Sequence, residues 1–184
     1  MKDEYAIILD YLPEGHPSSR KSEPLAQVVG KKYLSLLEVV PRNDSAIGPH
    51  DEVYIGEGKR EEIKYIKKSL DYNDLTAAAK SELEIFVDNL VEEGEKRFTE
   101  FFNKSGPLTT RMHSLEVLPG VGKKHLWEII DARKEKKFES YVDIKERVPL
   151  LPNPKKILKK RIMAELEEDK KHYIFAVSKR KSRQ

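Results

Sequence analysis

Along the first 70 residues, apolar and polar positions alternate with the two-residue period of β-strands. Residues 13–32 begin with a stretch rich in proline, glycine and serine, which indicates a long loop between the first two strands. The glycine-bearing residues 56–59 predict a tight hairpin between the third and fourth strands. Strands are therefore predicted at residues 4–12, 33–40, 51–55 and 62–68.

From residue 77 onward the apolar spacing changes to three and four, the period of an amphipathic helix. This pattern predicts a long helix over residues 76–104, with Thr76 as its N-cap and Gly94 as a weak point in its middle. More helical pattern follows, and residues 172–177 then return to strand character. Because a single strand cannot form a sheet alone, we expect this last strand to join the four N-terminal ones.

These elements together predict an α+β protein in which a small OB-like five-stranded β-barrel contains an inserted all-α domain. The long loop would then follow the first strand of the barrel, and the helical insertion would follow the fourth. The predicted parts are the OB-like barrel at residues 1–75 plus 169–178, a long connecting helix at 76–104, the helical domain at 105–168 and a basic tail at 179–184.

The composition excludes several classes of site. The chain contains no cysteine, which excludes disulfide scaffolds, iron–sulfur clusters and thiolate zinc sites. Its five histidines are scattered and no P-loop is present, so neither a metal nor a cofactor is expected. The sequence has no long apolar run and no N-terminal signal pattern, so we expect a cytoplasmic protein without a membrane partner.

Charge is distributed unevenly along the chain. Charged residues make up 36% of the sequence, and the overall net charge is only +3. Residues 1–104 nevertheless carry a net charge of −6, whereas residues 105–184 carry +9. This asymmetry suggests that the C-terminal part of the chain meets an anionic partner.

The most informative stretch is LEVLPGVGKK at residues 115–124, which lies between two helical patterns. Gly120 and Gly122 can adopt positive φ angles and let a large group approach the backbone. The helix that follows begins with unpaired N–H groups and the positive end of its dipole. Together with Lys123 and Lys124, these groups predict a binding site for a phosphate oxygen. The two predicted helices share an apolar seam of Met112, Leu115, Leu118, Leu126, Ile129 and Ile130.

At these residues the sequence resembles the helix-hairpin-helix family, whose members hold DNA or RNA backbones with such a turn. The resemblance covers residues 108–168 and includes a degenerate second copy, in which Leu150 and Leu151 stand where the glycines should be. We expect this copy to be a packing partner, with the basic run on its helix either solvated or in contact with phosphates. The binding residues so implied are Gly120, Val121, Gly122, Lys123, Lys124, Arg133, Lys155, Lys156, Lys159 and Lys160.

The complete layout resembles an uncharacterised archaeal family considered to bind RNA or nucleotides. This resemblance spans nearly the whole chain. It favours nucleic-acid binding without indicating which nucleic acid. From the hairpin and its lysines we expect a binding protein rather than an enzyme, one that prefers RNA slightly over DNA and discriminates sequence poorly.

Two other functions remain open at this point. DNA glycosylases that cleave abasic sites carry a catalytic lysine in this hairpin and an aspartate further on, positions that Lys124 and Asp143 resemble. Alternatively, the helical domain docks another protein within a nucleic-acid assembly. Trp127 lies off the apolar stripe of its helix, and we expect it to pack against the other helices or the barrel.

Overall fold

The computed structural model describes residues 2–17, 22–167 and 170–177. It divides into two compact units, one of residues 1–85 with 165–184 and the other of residues 86–164. The predicted basic tail at residues 179–184 lies outside the described residues. None of the described helices combines the length and the apolar content that a membrane crossing requires.

The first unit is built on a curled five-stranded antiparallel sheet that forms a half-barrel. Its strands follow the spatial order β4-β1-β2-β3-β5, so β4 and β5 are the two edges. Apolar side chains from all five strands, or from the residue that follows β4, fill its concave core: Ala6, Ile8, Ala26, Val28, Val39, Val53, Ile55 and Ile63. The strands are β1 (Tyr5–Leu12), β2 (Leu25–Gly30), β3 (Leu36–Pro41), β4 (Glu52–Tyr54) and β5 (Ile63–Ser69).

The α+β class is confirmed, but the strands differ from the prediction. The domain predicted as all-α contains a second, two-stranded sheet at residues 107–109 and 112–113, and β2 was predicted as part of a loop. All six of its residues are buried, so the strand lacks the alternation of buried and exposed positions that identifies a surface strand. Gln27 at its centre is also buried, because its side-chain oxygen accepts the amide of Thr76 at 2.9 Å. This long-range contact satisfies a polar group that in the sequence suggests a loop.

The predicted hairpin at residues 56–59 is wrong, since β4 pairs with β1 and β5 pairs with β3. The chain leaves β4 along β1, where the amides of Ile55 and Gly56 donate to the carbonyl of Glu4 at 2.7 and 3.2 Å. The segment that follows therefore connects opposite edges of the sheet.

The predicted strand at residues 172–177 is also wrong. Successive amides of Ile174, Phe175 and Ala176 all donate to the buried carboxylate of Glu165, at 2.9 to 3.1 Å. A strand directs successive N–H groups to opposite sides, so this arrangement is incompatible with pairing in a sheet. The amide of Val177 donates to the carbonyl of Tyr33, between β2 and β3, at 3.0 Å.

The helices agree well with the amphipathic pattern. Thr76 caps the first of them, since its hydroxyl accepts the amide of Ala79 at 3.0 Å. Gly94 separates the predicted long helix into two. The elements after β5 are α1 (Ala77–Glu93), α2 (Glu95–Lys104), the short strands β6 (Pro107–Thr109) and β7 (Met112–His113), α3 (Lys123–Glu135), α4 (Tyr141–Arg147) and α5 (Pro154–Leu166).

The segment before the glycine turn is shorter than predicted. Instead of a helix that includes Met112 and Leu118, the structure has β7 followed by a single 3₁₀ turn at Ser114–Val117. His113 and Glu116 cap this turn reciprocally, because each side chain accepts an amide of the other end. The predicted apolar seam is only partly present, since Met112 is exposed whereas Leu115, Leu118, Leu126 and Ile129 are buried.

Candidate functional site

The glycine turn at residues 118–122, here called the first hairpin, projects its backbone outward. Gly120 has φ of +78°, a left-handed conformation that favours glycine. The side chain of Val121 is buried, and its amide donates to the carbonyl of Leu118 at 3.1 Å. Val121 therefore anchors the turn from inside, while Gly120 and Gly122 on either side of it are exposed.

Gly122 is the N-cap of α3 and lies in open space. Its backbone is extended, with φ of −92°, and no heavy atom lies within 4 Å of where its Cβ would be. No side chain caps the helix. Within the described part of the chain, the amides of Gly122, Lys123 and Lys124 donate no hydrogen bond. The first turn of α3 thus presents unbonded N–H groups beside a surface that a bulky group can approach.

Two side chains hold the first hairpin in shape. The Nδ1 atom of His125 lies 3.0 Å from the carbonyl oxygen of Gly120, an oxygen that can only accept, so the ring donates there. The buried guanidinium of Arg161 donates to the carbonyl of Val117 at 3.1 Å, just before the turn. Neither role is predictable from the sequence, because both side chains bind backbone carbonyls and such contacts leave no sequence pattern.

The two lysines at the start of α3 differ in their partners. The Nζ atom of Lys123 lies 2.8 Å from a carboxylate oxygen of Glu116, whereas Lys124 is exposed and forms no ion pair with a described residue. The pKa of Glu116 is lowered, first by the hydrogen bond from the amide of His113 and then by the one from Lys123. Lys124 is therefore the available cation at the hairpin, and Lys123 is shared with an anion.

The corresponding turn at residues 148–153, here called the second hairpin, is closed by its own side chains. Asn153 accepts the amides of Lys155 and Lys156 at 3.0 and 3.3 Å. The ammonium group of Lys145 donates to the carbonyls of Pro149, at 2.8 Å, and Leu151. The N–H groups that would hold a phosphate are occupied, which agrees with the expectation that this copy serves packing.

The basic run on α5 is divided between its two sides. Lys155 pairs with Glu92 and Lys159 pairs with Asp88, both at 2.6 Å between nitrogen and oxygen. Lys156 is exposed, as is Lys160, and neither forms an ion pair with the described residues. Two of the four lysines predicted to bind phosphate on this helix are thus paired with acidic side chains of α1.

Arg133 binds the end of α2. Its guanidinium donates to the carbonyls of Phe102 and Ser105 at 3.0 and 2.8 Å, at the C-terminus of α2. Burial lowers its pKa, although the group stays protonated. These bonds satisfy the free carbonyls of α2, so we leave Arg133 out of the candidate interface.

Asp143, the residue that resembles a glycosylase carboxylate, is bound within the protein. It accepts the amide of Glu139 at 2.9 Å and lies 3.3 Å from the guanidinium of Arg147. These contacts assign it to the start of α4. Among the described residues, no group of three histidine, aspartate or glutamate side chains is placed to hold a metal ion.

Trp127, on α3, is more exposed than the predicted packing against the other helices or the barrel would leave it. Its side chain is 57% exposed, one turn of helix beyond Lys123 and Lys124. It has no ring or cation–π contact with the described residues. The residue lies outside the buried stripe of α3, which Leu126 and Ile129 form.

A cavity of about 590 Å³ lies in the first unit, lined among others by Asp3, Tyr54, Arg60 and Glu165. Its two buried carboxylates bind the protein itself, since Asp3 accepts the amides of residues 32, 33 and 35 and Glu165 accepts those of 174–176. These two carboxylates therefore fix the chain around the cavity. The first hairpin is the better candidate site.

Comparison with known proteins identifies relatives of nearly the full chain. A protein from Methanocaldococcus jannaschii described as "Uncharacterized protein MJ0038" is 44% identical over 175 residues, which cover 94% of this chain and 79% of that protein. The crystal structure of Af1531 from Archaeoglobus fulgidus is 43% identical, with a TM-score of 0.82 over 95% of this chain and 100% of that one. Both relatives are archaeal, as the resemblance of the complete layout implied. A family model described as "Protein of unknown function (DUF655)" matches residues 2–177, and the chain therefore belongs to this family.

Proposed function

We propose that the protein binds the phosphate backbone of a nucleic acid through the first hairpin, largely without regard to sequence. The amides of residues 122–124 and the ammonium group of Lys124 would surround one phosphate oxygen. Lys156 and Lys160 would add long-range attraction for the same polyanion.

The contrast between the two hairpins carries this proposal. The second hairpin has Asn153 on its amides, which is the ordinary way to satisfy the start of a helix. The first has Gly122 at the equivalent position, with no capping side chain and no atom nearby. Glycine at this position costs helix stability and leaves room for an external anion, which a structural turn would not need.

The first unit supports the same proposal. Its strand order is compatible with an OB-like barrel that is open between β4 and β5. Barrels of this kind bind oligonucleotides in many proteins. If the two units are OB-like and helix-hairpin-helix, as proposed, their presence in one chain favours a polynucleotide over a free phosphate.

A single substitution at Gly122 tests the proposal without disturbing the fold. Gly122→Asp places a carboxylate over the same amides and is a preferred N-cap, so the folded state should be as stable or slightly more so. The carboxylate also repels phosphate. Affinity for single- and double-stranded RNA and DNA should fall about 10- to 100-fold, as expected for losing hydrogen bonds to a charged group.

Gly106→Asp is the matched control, because it adds the same charge at another glycine with no atom near its Cβ position. Binding is measured by fluorescence anisotropy at two salt concentrations, with thermal unfolding to show that both variants are folded. The wild-type affinity should fall steeply with salt. Equal affinities of the wild type and a folded Gly122→Asp variant would refute the proposed site.

A further inference from the structure

We infer that Trp127 stacks on an unpaired base of the strand whose phosphate lies at the first hairpin, so that the preferred ligand is single-stranded. This inference rests on the proposed function, since it assigns the ligand class of the same site. It is carried by the position of the indole rather than by its exposure alone.

The indole lies on the same helix as the open amides and beside them. Trp127 follows Lys123 and Lys124 by four and three residues, the spacing that places side chains on one face of a helix. Five residues of α-helix separate it from Gly122, a rise of about 7.5 Å. This distance is comparable with the reach from a backbone phosphate to the base of a neighbouring nucleotide. Helical side chains also lean toward the N-terminus, which brings the ring toward the hairpin.

The surroundings of the ring favour a nucleic-acid base over an apolar protein surface. Its neighbours on the helix face toward the hairpin are the two lysines, and the side chain of Asp131 on the next turn is 71% exposed. An apolar protein partner would have to desolvate these charges. A base stacks on the flat indole ring, and the phosphates of its strand are attracted to the lysines.

Duplexes would not use this ring, because their bases are already paired and stacked. Unpaired bases are free to stack on aromatic side chains whatever their identity. The inference therefore predicts a ligand that is single-stranded, or that has unpaired bases beside a duplex, and it retains the lack of sequence specificity in the proposed function.

The chain contains one tryptophan, so its intrinsic fluorescence reports on this position alone. The experiment titrates the full-length protein with three probes of equal length: an oligoadenylate, the same backbone without bases, and a duplex. Oligoadenylate should quench the emission of Trp127. The abasic strand should bind with little quenching.

Substitutions then measure how much the ring contributes. Trp127→Ala should lower the affinity for oligoadenylate by about 10-fold or more, and Trp127→Phe by less, because a smaller ring still stacks. Affinity for the abasic strand should stay within about twofold of the wild type, since its backbone contacts are retained. Val142→Ala is the control, because it removes another exposed apolar side chain, 64% exposed, from the same unit.

The possible failures are distinguishable. If Trp127→Ala binds oligoadenylate as tightly as the wild type while Gly122→Asp does not, the inference is wrong and the proposed function stands. An equal loss for oligoadenylate and the abasic strand would show that Trp127 supports the turn instead of a base, and would overturn the inference. If the wild type binds none of the three probes at low salt, the proposed function fails as well.

Discussion

The ring of Pro152 occupies the space that a side chain on Gly120 would need. A Cβ atom built on Gly120 would lie 2.9 Å from the Cγ atom of Pro152, closer than two such carbons pack in proteins. Gly120 also has a positive φ of +78°. The first hairpin therefore packs against the second through a contact that glycine alone permits.

We expect Gly120→Ala to destabilise the fold. The left-handed backbone costs an alanine roughly 1–2 kcal/mol, and displacing Pro152 adds to this cost. The free energy of unfolding, measured with urea, should fall by about 2 kcal/mol or more. By contrast, Gly122→Ala should lower it by less, about 1 kcal/mol at most: Gly122 has an ordinary φ and open space around it, and the cost comes from alanine being a poorer N-cap than glycine.

A double mutant separates the two causes. In a Pro152→Ala background, Gly120→Ala should lower the free energy of unfolding only by the cost of the left-handed backbone, because the clash with the proline ring is absent. Full additivity of the two substitutions would contradict the contact between the hairpins. Because Gly120→Ala alters the fold, a loss of nucleic-acid binding in that variant would not locate the site.

The sequence predicted the helices better than the sheet for a physical reason. The stripe of α3 and its start at Lys123 follow from contacts three or four residues apart. The pairing of β4 with β1 depends on residues far apart in the chain, and no local pattern encodes it. The amides of residues 174–176 bind Glu165 and not a strand, a contact that the apolar composition of residues 172–177 concealed.

The candidate site was predictable only in part. The turn at Gly120 and Gly122 and the exposed Lys124 follow from the motif. The hydrogen bonds of Arg133 to the end of α2 do not follow from the motif. The sequence does not indicate whether the partner of a basic residue is a backbone carbonyl or a ligand. The exposure of Trp127 depends on which elements cover α3, and this is decided by tertiary packing.

Glu116 is expected to restrain nucleic-acid binding through its ion pair with Lys123. Glu116→Gln keeps an oxygen that can accept the amide of His113 but releases Lys123 for phosphate. Affinity at low salt should rise severalfold, and the slope of log affinity against log salt should steepen by about 0.7 to 0.9. The measurement is a salt titration by fluorescence anisotropy.

A second ion pair on the same unit provides the control for this prediction. Glu139 pairs with Lys136 at 2.9 Å, and Glu139→Gln makes the same change of charge outside the hairpin. Its affinity and salt slope should change less than those of Glu116→Gln. Identical behaviour of the two variants would show that only net charge matters and that Lys123 has no special place at the phosphate.

His113 is expected to make the stability of the protein depend on pH. Burial lowers its pKa below the ordinary 6.5, and the positive charge of Arg133 lowers it further, with a smaller contribution from Lys123. Glu116 opposes this shift. The folded protein therefore binds the proton less tightly than the unfolded chain, so the stabilising contribution is complete above about pH 6.5 and is lost as the pH falls through the lower folded value.

The comparison of the wild type with His113→Asn isolates this contribution. Asparagine retains an acceptor for the amide of Leu115, which the Nδ1 atom of His113 binds at 3.2 Å, but it does not titrate. The free energy of unfolding of the wild type should fall more steeply than that of the variant between neutral pH and about pH 5. The remaining residues are the same in both proteins, so their contributions cancel in the difference, and the lowered pKa of Glu116 keeps this carboxylate ionised over the range. If the two plots of unfolding free energy against pH are parallel, His113 is equally easy to protonate in the folded and unfolded states. This result would contradict the lowering of its pKa by burial.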